Sequence, residues 1–398
     1  MPAFLPALLL APLTAGVVLE VSPSGPYTQI QDAVDAANDG DLVLVHAGAY
    51  GAFTVEAKSL TVVADTNELV TVTGSANVLD LTAGQTVALI GLHVHGDPVF
   101  DPTTLYPLSI DGDQGSVRCE GCEFIAAPFY QPGAWIGSSS DVSFVGCQLQ
   151  GCISGDVGGC GAQAVASTLS FFDCTVQGGD GLPSDMAATY GGNGGPGLNA
   201  DGCTIFSSGS TFRGGNGGYG QFYPYGITQP GPGDGGPGVV LVPGCLMRFL
   251  DTLMVGGEFG DPDYPSWDGP PAIGGTFTAI PGAKRTMTVS NPARELTSLN
   301  FSLHGAVGES VYLLVGKNTG VQWEPMNKAN FLVAPPWYRT LYVGTTNGSG
   351  NLNVSLPLSD LGGGVQFQMF YLQPLFVGPG GAQQLGTPIT LAALDQAF

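Results

Sequence analysis

A repeated pattern between residues 87 and 257 constrains the fold of this chain more than any other feature. Apolar residues recur at fixed distances from six anchor positions and alternate with polar residues, as they do in half-buried strands. The alternation shifts by one residue just before each anchor, where glycine or aspartate stands, so we expect the strand to turn a corner there. The anchors are Leu92, Cys122, Cys147, Cys174, Ser210 and Thr252.

The spacing of the anchors predicts which kind of solenoid this is. Successive anchors are 30, 25, 27, 36 and 42 residues apart. Helical repeats keep a fixed period, whereas a coil of strands tolerates insertions at its corners because longer loops cost little to close. There is also room for a third strand between anchors. We therefore predict an all-β parallel β-helix with three strands per turn, stacked about 4.8 Å apart. An antiparallel sandwich is the alternative, but it does not require the anchors to coincide.

Composition excludes several classes of partner. The chain has 63 Gly and 30 Pro, yet 43% of its residues are hydrophobic, too many for a disordered protein. Its formal net charge is −22, with only ten Lys and Arg among 398 residues. It therefore has no basic patch for nucleic acid or for an anionic membrane surface. Acidic polyuronates would be repelled as well, unless calcium bridged the two polyanions.

Residues 1–19 are predicted to be a signal peptide, because an apolar run is followed by small residues up to Gly16. A buried N-terminal segment is the alternative, since the run has no preceding Lys or Arg and contains three prolines. No other stretch has the ~18 uninterrupted apolar residues of a membrane span. We expect a secreted or cell-surface protein without further membrane insertion.

All eight cysteines lie between residues 119 and 245, and an even number in an exported protein predicts disulfides. Cys203 and Cys245 each stand seven residues before neighbouring anchors, so they would stack within bonding reach. We predict a bond between them, and a second bond between Cys152 and Cys160 that closes a corner loop. Free, buried thiols packed as small hydrophobes are the alternative for the anchor cysteines.

A short amphipathic helix is predicted before the repeats, where it would cap the open end of the solenoid. Ile30, Ala33 and Val34 share one face, Thr28 is the expected N-cap and Gly40 the expected end.

Residues 30–50 resemble the N-terminal cap of the pectin lyase-like right-handed parallel β-helix proteins, which include pectin methylesterases and many exported bacterial proteins. The resemblance covers about residues 20–270 and implies a right-handed parallel β-helix with a capping helix. The catalytic aspartate pair of the methylesterases, with its glutamine and arginine, has no counterpart in this sequence. The aspartate clusters and basic residue of pectate lyases and polygalacturonases have none either. The resemblance therefore predicts the fold and does not indicate which activity, if any, the chain has.

The repeats stop after Pro271, which predicts two domains: a β-helix at 20–272 and a β-sandwich at 273–398. In the second domain about seven alternating segments are separated by turn signals, as in small sandwiches. Capping, surface attachment or sorting are the roles expected of it, and a purely structural cap is the alternative.

Polar residues one and three positions after the anchors predict a surface that binds polysaccharide or a cell-surface glycan without catalysis. Long glycine-rich loops would wall this surface with aromatic rings. The structural alternative is a solvated strand face whose neighbouring aromatic residues only pack on the coil. The functional alternative is a polysaccharide lyase or glycoside hydrolase with an unrecognised site. The candidates are Glu123, Gln148, Gln150, Gln177, Arg213, Tyr190, Tyr223, Tyr225, Tyr264 and Trp267.

Two metal hypotheses follow from the same region, although no cofactor is expected. His93 and His95 share a strand face beside Glu123, and two imidazoles with a carboxylate can hold zinc or iron. Calcium is a second candidate, because aspartates stand among the turn-forming glycines of the loops. Solvated histidines and ordinary turn aspartates are the alternatives. The loop aspartates are Asp180, Asp185, Asp234, Asp261 and Asp263.

Overall fold

The chain winds through successive turns of three short strands, and equivalent strands of neighbouring turns pair in parallel. The computed structural model describes residues 16–97, 106–127, 131–184, 191–220, 231–261, 268–333 and 339–398. The solenoid strands are β1 Val18–Val21, β2 Asp41–Val45, β3 Gly48–Tyr50, β4 Phe53–Glu56, β5 Leu60–Ala64, β6 Val70–Thr73, β7 Ala76–Leu79, β8 Thr86–Ile90, β9 Leu92–His95, β10 Leu108–Asp111, β11 Ser116–Glu120, β12 Glu123–Ile125, β13 Ala134–Gly137, β14 Asp141–Val145, β15 Gln148–Gln150, β16 Ala162–Val165, β17 Thr168–Phe172, β18 Thr175–Gln177, β19 Leu198–Asp201, β20 Thr204–Ser208, β21 Thr211–Arg213, β22 Val239–Leu250, β23 Leu253–Val255 and β24 Ala272–Ile280.

Three columns of strands form the faces of the solenoid. The docked sheet contains β1, β2, β5, β8, β11, β14, β17, β20 and the second half of β22. The side sheet contains β4, β7, β10, β13, β16, β19 and the first half of β22. The open sheet contains β3, β6, β9, β12, β15, β18, β21 and β23. The chain is a right-handed parallel β-helix, and this fold prediction is confirmed.

The repeat aligned on the anchors is the physical register of the strands. Val117 pairs with Val87 of the turn before and with Val142 of the turn after, and the same column continues to Met247. These residues are buried and form the long interior core of the solenoid. Columns of equivalent side chains therefore run along the axis, as the spacing predicts.

A left-handed residue forms each predicted corner before an anchor. The left-handed region admits glycine freely and aspartate more readily than most other residues, which explains why only these two types stand there. The backbone angle φ is positive at Gly91, Gly121, Gly146, Asp173, Gly209 and Asp251.

All eight cysteines are free thiols in the structure. The disulfides predicted for Cys203–Cys245 and Cys152–Cys160 are therefore not formed. The sulfur of Cys245 instead accepts the backbone N–H of Cys203 at 3.2 Å and donates to the carbonyl of Ala200 at 3.3 Å. Stacking does place the two cysteines on neighbouring turns, but the sulfur of Cys245 forms hydrogen bonds with the backbone at the corner of the turn before it.

The anchor cysteines form a second interior column with the same chemistry. The thiol of Cys147 donates to the carbonyl of Cys119 at 3.2 Å, and the thiol of Cys122 donates to the carbonyl of Leu89 at 3.3 Å. Burial raises the pKa of Cys122 and Cys147 well above the usual thiol value. These cysteines therefore act as small hydrogen-bonding core residues, the alternative that the sequence leaves open.

The capping helix α1 spans Ile30–Ala36 and buries Ile30, Ala33 and Val34 against the first turn. Its N-cap is Gln29, which makes no capping side-chain hydrogen bond, so the prediction of Thr28 as N-cap is wrong. Thr28 stands one residue too early to reach the free N–H groups of the first helical turn.

The second domain is a β-sandwich. Its strands are β25 Thr286–Thr288, β26 Ala293–Arg294, β27 Ser298–His304, β28 Ser310–Gly316, β29 Thr319–Glu324, β30 Ala329–Val333, β31 Arg339–Thr345, β32 Asn351–Pro357, β33 Phe367–Val377, β34 Gln383–Leu385 and β35 Ile389–Leu394. A 3₁₀ turn at Pro325–Asn327 links β29 and β30. Sheet β25-β27-β32 packs on sheet β26-β35-β33-β28-β31, for example through Phe301 and Phe370. The solenoid itself continues through β24, which pairs with β22 as far as Ile280, beyond the predicted boundary after residue 272.

The sandwich folds back over the docked sheet. Ile90 and Val63 of the solenoid share one apolar cluster with Phe367, and Phe172 shares another with Phe331. Strands β2, β5, β11 and β14 are consequently buried along their whole length, on both faces. One long face of the solenoid is therefore closed to any large ligand.

Polar pairs fix the position of this interface. Arg118 is 2% exposed and makes a two-pronged ion pair with Asp141, at 2.6 and 2.8 Å, while its Nε donates to the hydroxyl of Thr319 at 2.8 Å. Arg294 of the sandwich pairs with Asp65 of the solenoid at 2.7 Å. Because buried charges are tolerated only when they are paired, these contacts fix one docking arrangement.

Candidate functional site

The open sheet presents a row of polar side chains to solvent. Along β12, β15, β18 and β21 the inward residues are buried and the outward ones are exposed or half-buried. Gln150 is in register with Gln177, and Gln177 with Arg213, so these candidates form one column. Glu123 and Gln148 begin the parallel column beside it. The five strand candidates thus lie together, as the sequence predicts.

The amides of this surface are free to bind. The side chains of Gln148, Gln150 and Gln177 make no hydrogen bond to any other residue that the structure describes. Each amide offers two N–H donors and a carbonyl acceptor. From β9 to β21 the outward positions include one carboxylate, Glu123, and one guanidinium, Arg213. The surface is therefore close to neutral, although the whole chain carries −22.

Glu123 lies between the two imidazoles of the predicted metal site. Its carboxylate is 3.5 Å from Nδ1 of His93 and 3.2 Å from Nε2 of His95. Each histidine is therefore paired with the carboxylate, and a metal at this place stays a prediction. The arrangement gives the end of the polar surface a fixed carboxylate.

Sequence reasoning missed a tighter group of possible ligands. Among the described residues, one group of three potential metal ligands has donor atoms that all lie within 4.8 Å of one another. It consists of His46, Asp65 and Glu68. These residues come from two different turns, so no local motif indicates them. Arg294 already pairs with both oxygens of Asp65, and that contact lowers its carboxyl pKa although burial alone would raise it. The group joins the two domains as an ion-pair network.

Glycine-rich arms extend the surface beyond the ends of β15, β18, β21 and β23. Each arm leaves the open sheet and returns to the side sheet. Backbone hydrogen bonds of 2.7–2.8 Å join neighbouring arms in a continuous row. In this row Gly179 donates to Gly159, Gly195 to Gly179, Gly215 to Gly195, Gly236 to Gly215 and Gly257 to Gly236.

A second row of bonds lies three residues further along the arms. Gly218 donates to Gly192, and Gly233 donates to Gly218. Neighbouring extended segments are thus joined by one hydrogen bond every three residues. This pattern is typical of packed polyproline II-type helices, which have three residues per turn. A Cβ at Gly195 would lie 2.2 Å from the carbonyl oxygen of Gly158, so no side chain fits there. The arms are thus a bonded bundle rather than loose loops.

The outward residues of the arms form columns of their own. The N–H of Asn216 donates to Asp180 at 2.6 Å, and the N–H of Glu258 donates to Asn216 at 2.9 Å. Beside this column lies a shallow cavity of about 170 Å³ lined by Tyr219, which is 65% exposed. The carboxylate of Asp180 is thus used by the backbone, and calcium binding by the arms stays a prediction.

The aromatic candidates and two calcium candidates lie outside the described residues. They are Tyr190, Tyr223, Tyr225, Tyr264, Trp267, Asp185 and Asp263. Tyr219, at the end of the third outgoing arm, and Phe259 in the last loop are aromatic residues that the structure does place.

One carboxyl group with a shifted pKa lies between the domains. Burial raises the pKa of Glu120 to about 7, although its carboxylate accepts the N–H of Thr390 at 2.7 Å. It faces an apolar cavity of about 300 Å³ lined by Met287 and Ile389. No second carboxyl is among the described residues that line this cavity, so it lacks the pair that glycoside hydrolysis requires.

Comparisons with known proteins identify neither a family nor an activity for this chain. No protein-family model matches the chain, and no curated protein matches it. The structure is similar to a pectin methylesterase from Aspergillus niger, with 14% identity and a TM-score of 0.35, over 69% of this chain and 88% of that one. It is also similar to the receptor-binding domain of the siphovirus 9NA tailspike, with 11% identity and a TM-score of 0.18, over 93% and 98%. Such values carry no argument about activity, and the strand pairing described above establishes the fold.

No helix in the described ranges combines the length and the apolar character that crossing a membrane requires.

Proposed function

We propose that this protein binds neutral polysaccharide along its open sheet without catalysis. The observation that carries the proposal is the column of amides, unpaired within the described structure, on a solenoid face that the sandwich leaves uncovered. Amide groups both donate and accept, as the hydroxyls of a sugar do. A chain of sugars repeats its hydroxyls along its length, and the columns repeat theirs from turn to turn.

The dimensions of the surface favour an extended ligand. Eight strands with seven spacings of about 4.8 Å give a surface roughly 34 Å long. Its near-neutral charge favours a neutral chain, because a polyuronate would meet the field of a protein with net charge −22. Binding of an acidic chain would need calcium between the two.

The bonded glycine arms support one flank of this surface. Because the arms are held to one another by backbone hydrogen bonds, residues at their outer ends are presented from a fixed base. Tyr219 and the five aromatic candidates of the same loops would contribute flat faces for sugar rings. Secretion or display at a cell surface, where such polysaccharides occur, is part of this proposal and rests on the N-terminal segment.

Affinity electrophoresis through gels containing neutral or acidic polysaccharides, with and without calcium, tests the proposal. We expect retardation by at least one neutral polysaccharide, and its loss in the triple variant Gln148→Ala, Gln150→Ala and Gln177→Ala. Gln163→Ala is the matched control, because it removes the same amide from the outward face of the side sheet. Equal retardation of the triple variant and the control would refute the assignment of the surface. Release of reducing ends or unsaturated products would show catalysis instead.

A further inference from the structure

A cavity lies between the solenoid and the sandwich, away from the open sheet. Its volume is about 510 Å³, within the usual range of small-molecule sites. Four successive turns of the solenoid form one wall, and the β28–β29 turn and β33 of the sandwich form the other. The cleft thus exists only in the docked arrangement of the two domains.

Three of the polar side chains that line this cleft come from separate parts of the chain. They are the hydroxyl of Thr61 on β5, the amide of Gln114 before β11 and the amide of Asn318 in the sandwich turn. None of the three side chains has a hydrogen bond to another described residue. Together they offer donors and acceptors from both walls, which suits a ligand with several hydroxyl groups.

The remaining lining gives the cleft an apolar part and two charged residues, Asp41 and Lys317. The Tyr371 ring and the Met369 side chain both face it from β33. Asp41 lines it too, but its two carboxylate oxygens already accept the N–H groups of Val17 and Asn38, each at 2.7 Å. Without a cluster of cations among its described lining residues, the cleft is unsuited to phosphate or nucleotide. A compact polyol with one apolar face fits it better.

The floor of the cleft is rigid. Burial raises the pKa of Tyr371, on the sandwich side of the cleft, to about 12. Thr319 is held by Arg118, which is itself paired with Asp141. Binding at this place would therefore require little ordering of the site.

We propose that this cleft is a second carbohydrate site, which takes a neutral monosaccharide, a disaccharide or the end residue of a glycan. Thr61, Gln114 and Asn318 bind its hydroxyls, and Tyr371 with Met369 packs against its apolar face. The proposal does not depend on the open sheet, because the two surfaces share no residue. It adds an end-binding site to a protein whose other surface binds along a chain.

Isothermal titration calorimetry with glucose, galactose, mannose, N-acetylglucosamine and their β1,4-linked disaccharides tests this site. We expect at least one of them to bind the wild type, and the variant Gln114→Ala with Asn318→Ala to bind it at least tenfold more weakly. Both side chains are exposed, so the fold should survive their truncation.

The matched control is Gln148→Ala with Gln150→Ala, which removes two amides from the open sheet and should leave binding of the short saccharide unchanged. The proposal is overturned if none of these saccharides binds the wild type, or if both double variants bind as the wild type does. Loss of short-saccharide binding in the control variant alone would move the site to the open sheet and overturn the cleft assignment.

Discussion

In the bonded arms, Gly195→Ala should destabilise the protein far more than Gly155→Ala. A Cβ at Gly195 would lie 2.2 Å from the oxygen of Gly158 and 2.3 Å from that of Gly159, both backbone atoms, whereas ordinary contacts are 3.4–4 Å. The arm must therefore move by about 1 Å. The N–H of Gly195 donates to Gly179 and its carbonyl accepts from Gly215, both at 2.8 Å, so such a shift weakens two bonds.

The expected cost of Gly195→Ala follows from these two effects. Two backbone hydrogen bonds contribute about 1 kcal/mol each, and overpacking adds about 1–3 kcal/mol. We expect a loss of about 3–5 kcal/mol, unless the arms open locally at a lower cost. Urea unfolding gives the global value. Hydrogen exchange of residues 178–184, 191–197 and 214–220 detects local opening of the arms.

Gly155→Ala is the matched control. Gly155 lies in the preceding arm, a Cβ added to it would meet no described atom within 4 Å, and its backbone is not left-handed. Alanine there should be neutral or stabilise the fold by about 0.4–1 kcal/mol, because it restricts the unfolded chain. If the two variants had equal stability and equal exchange protection, the packed-arm description would be refuted.

Three further predictions concern the interior and the domain interface. Burial, followed by the charges of Asp80 and Asp111, raises the pKa of Asp113 from 3.8 to about 6, so ionisation of this group destabilises the fold as pH rises through that range. Asp113→Asn should therefore be more stable than the wild type by up to about 3 kcal/mol at pH 8, and this gain should fade toward pH 4. A stability difference in urea unfolding that does not change with pH would contradict this. Arg118→Met leaves Asp141 buried without its cation and should lower the free energy of unfolding by about 3–5 kcal/mol. Adding Asp141→Leu to this variant should recover most of the loss. A double-mutant cycle that shows no coupling energy between the two positions would refute the buried ion pair. Thiol titration of the protein unfolded without reductant should give eight thiols per chain, and a count of four or six would restore the disulfide interpretation.

The columns of the solenoid could be predicted because their signal is local and repeated. Corner residues such as Gly121 and Asp173 can be recognised because glycine or aspartate always stands one position before the anchor. The inward residues can be recognised because they alternate with polar ones. The sandwich strands β27, β28 and β32 can be predicted for the same reason, since apolar and polar residues alternate along them between turn signals. The strands β29 and β30 give no such signal, because they pack between the domains and lack a clean alternation.

The docking of the sandwich could not be predicted from these patterns. Arg118 and Glu120 occupy outward positions of β11, where a polar residue normally indicates a solvated face. Their partners Thr319 and Thr390 are 201 and 270 residues away along the chain. The cleft between the domains depends on this docking, so it too was beyond reach of the sequence.

The bonded arms do have a signal in the sequence. In residues 191–195 glycines surround a single asparagine, and the same spacing recurs around Asn216. A three-residue period of this kind indicates packed extended helices in which only glycine fits between neighbours. The disulfide prediction failed for a different reason: stacking alone does not say whether a sulfur bonds to its neighbour or to the corner backbone.

The dependence of affinity on oligosaccharide length tests the central claim most directly. If a neutral chain lies along the open sheet, affinity should rise with length until the oligosaccharide spans roughly 34 Å and then level off. The triple amide variant should lose this rise while disaccharides bind it as they bind the wild type. Affinity that does not change with length, or an unchanged rise in the triple variant, would contradict the account.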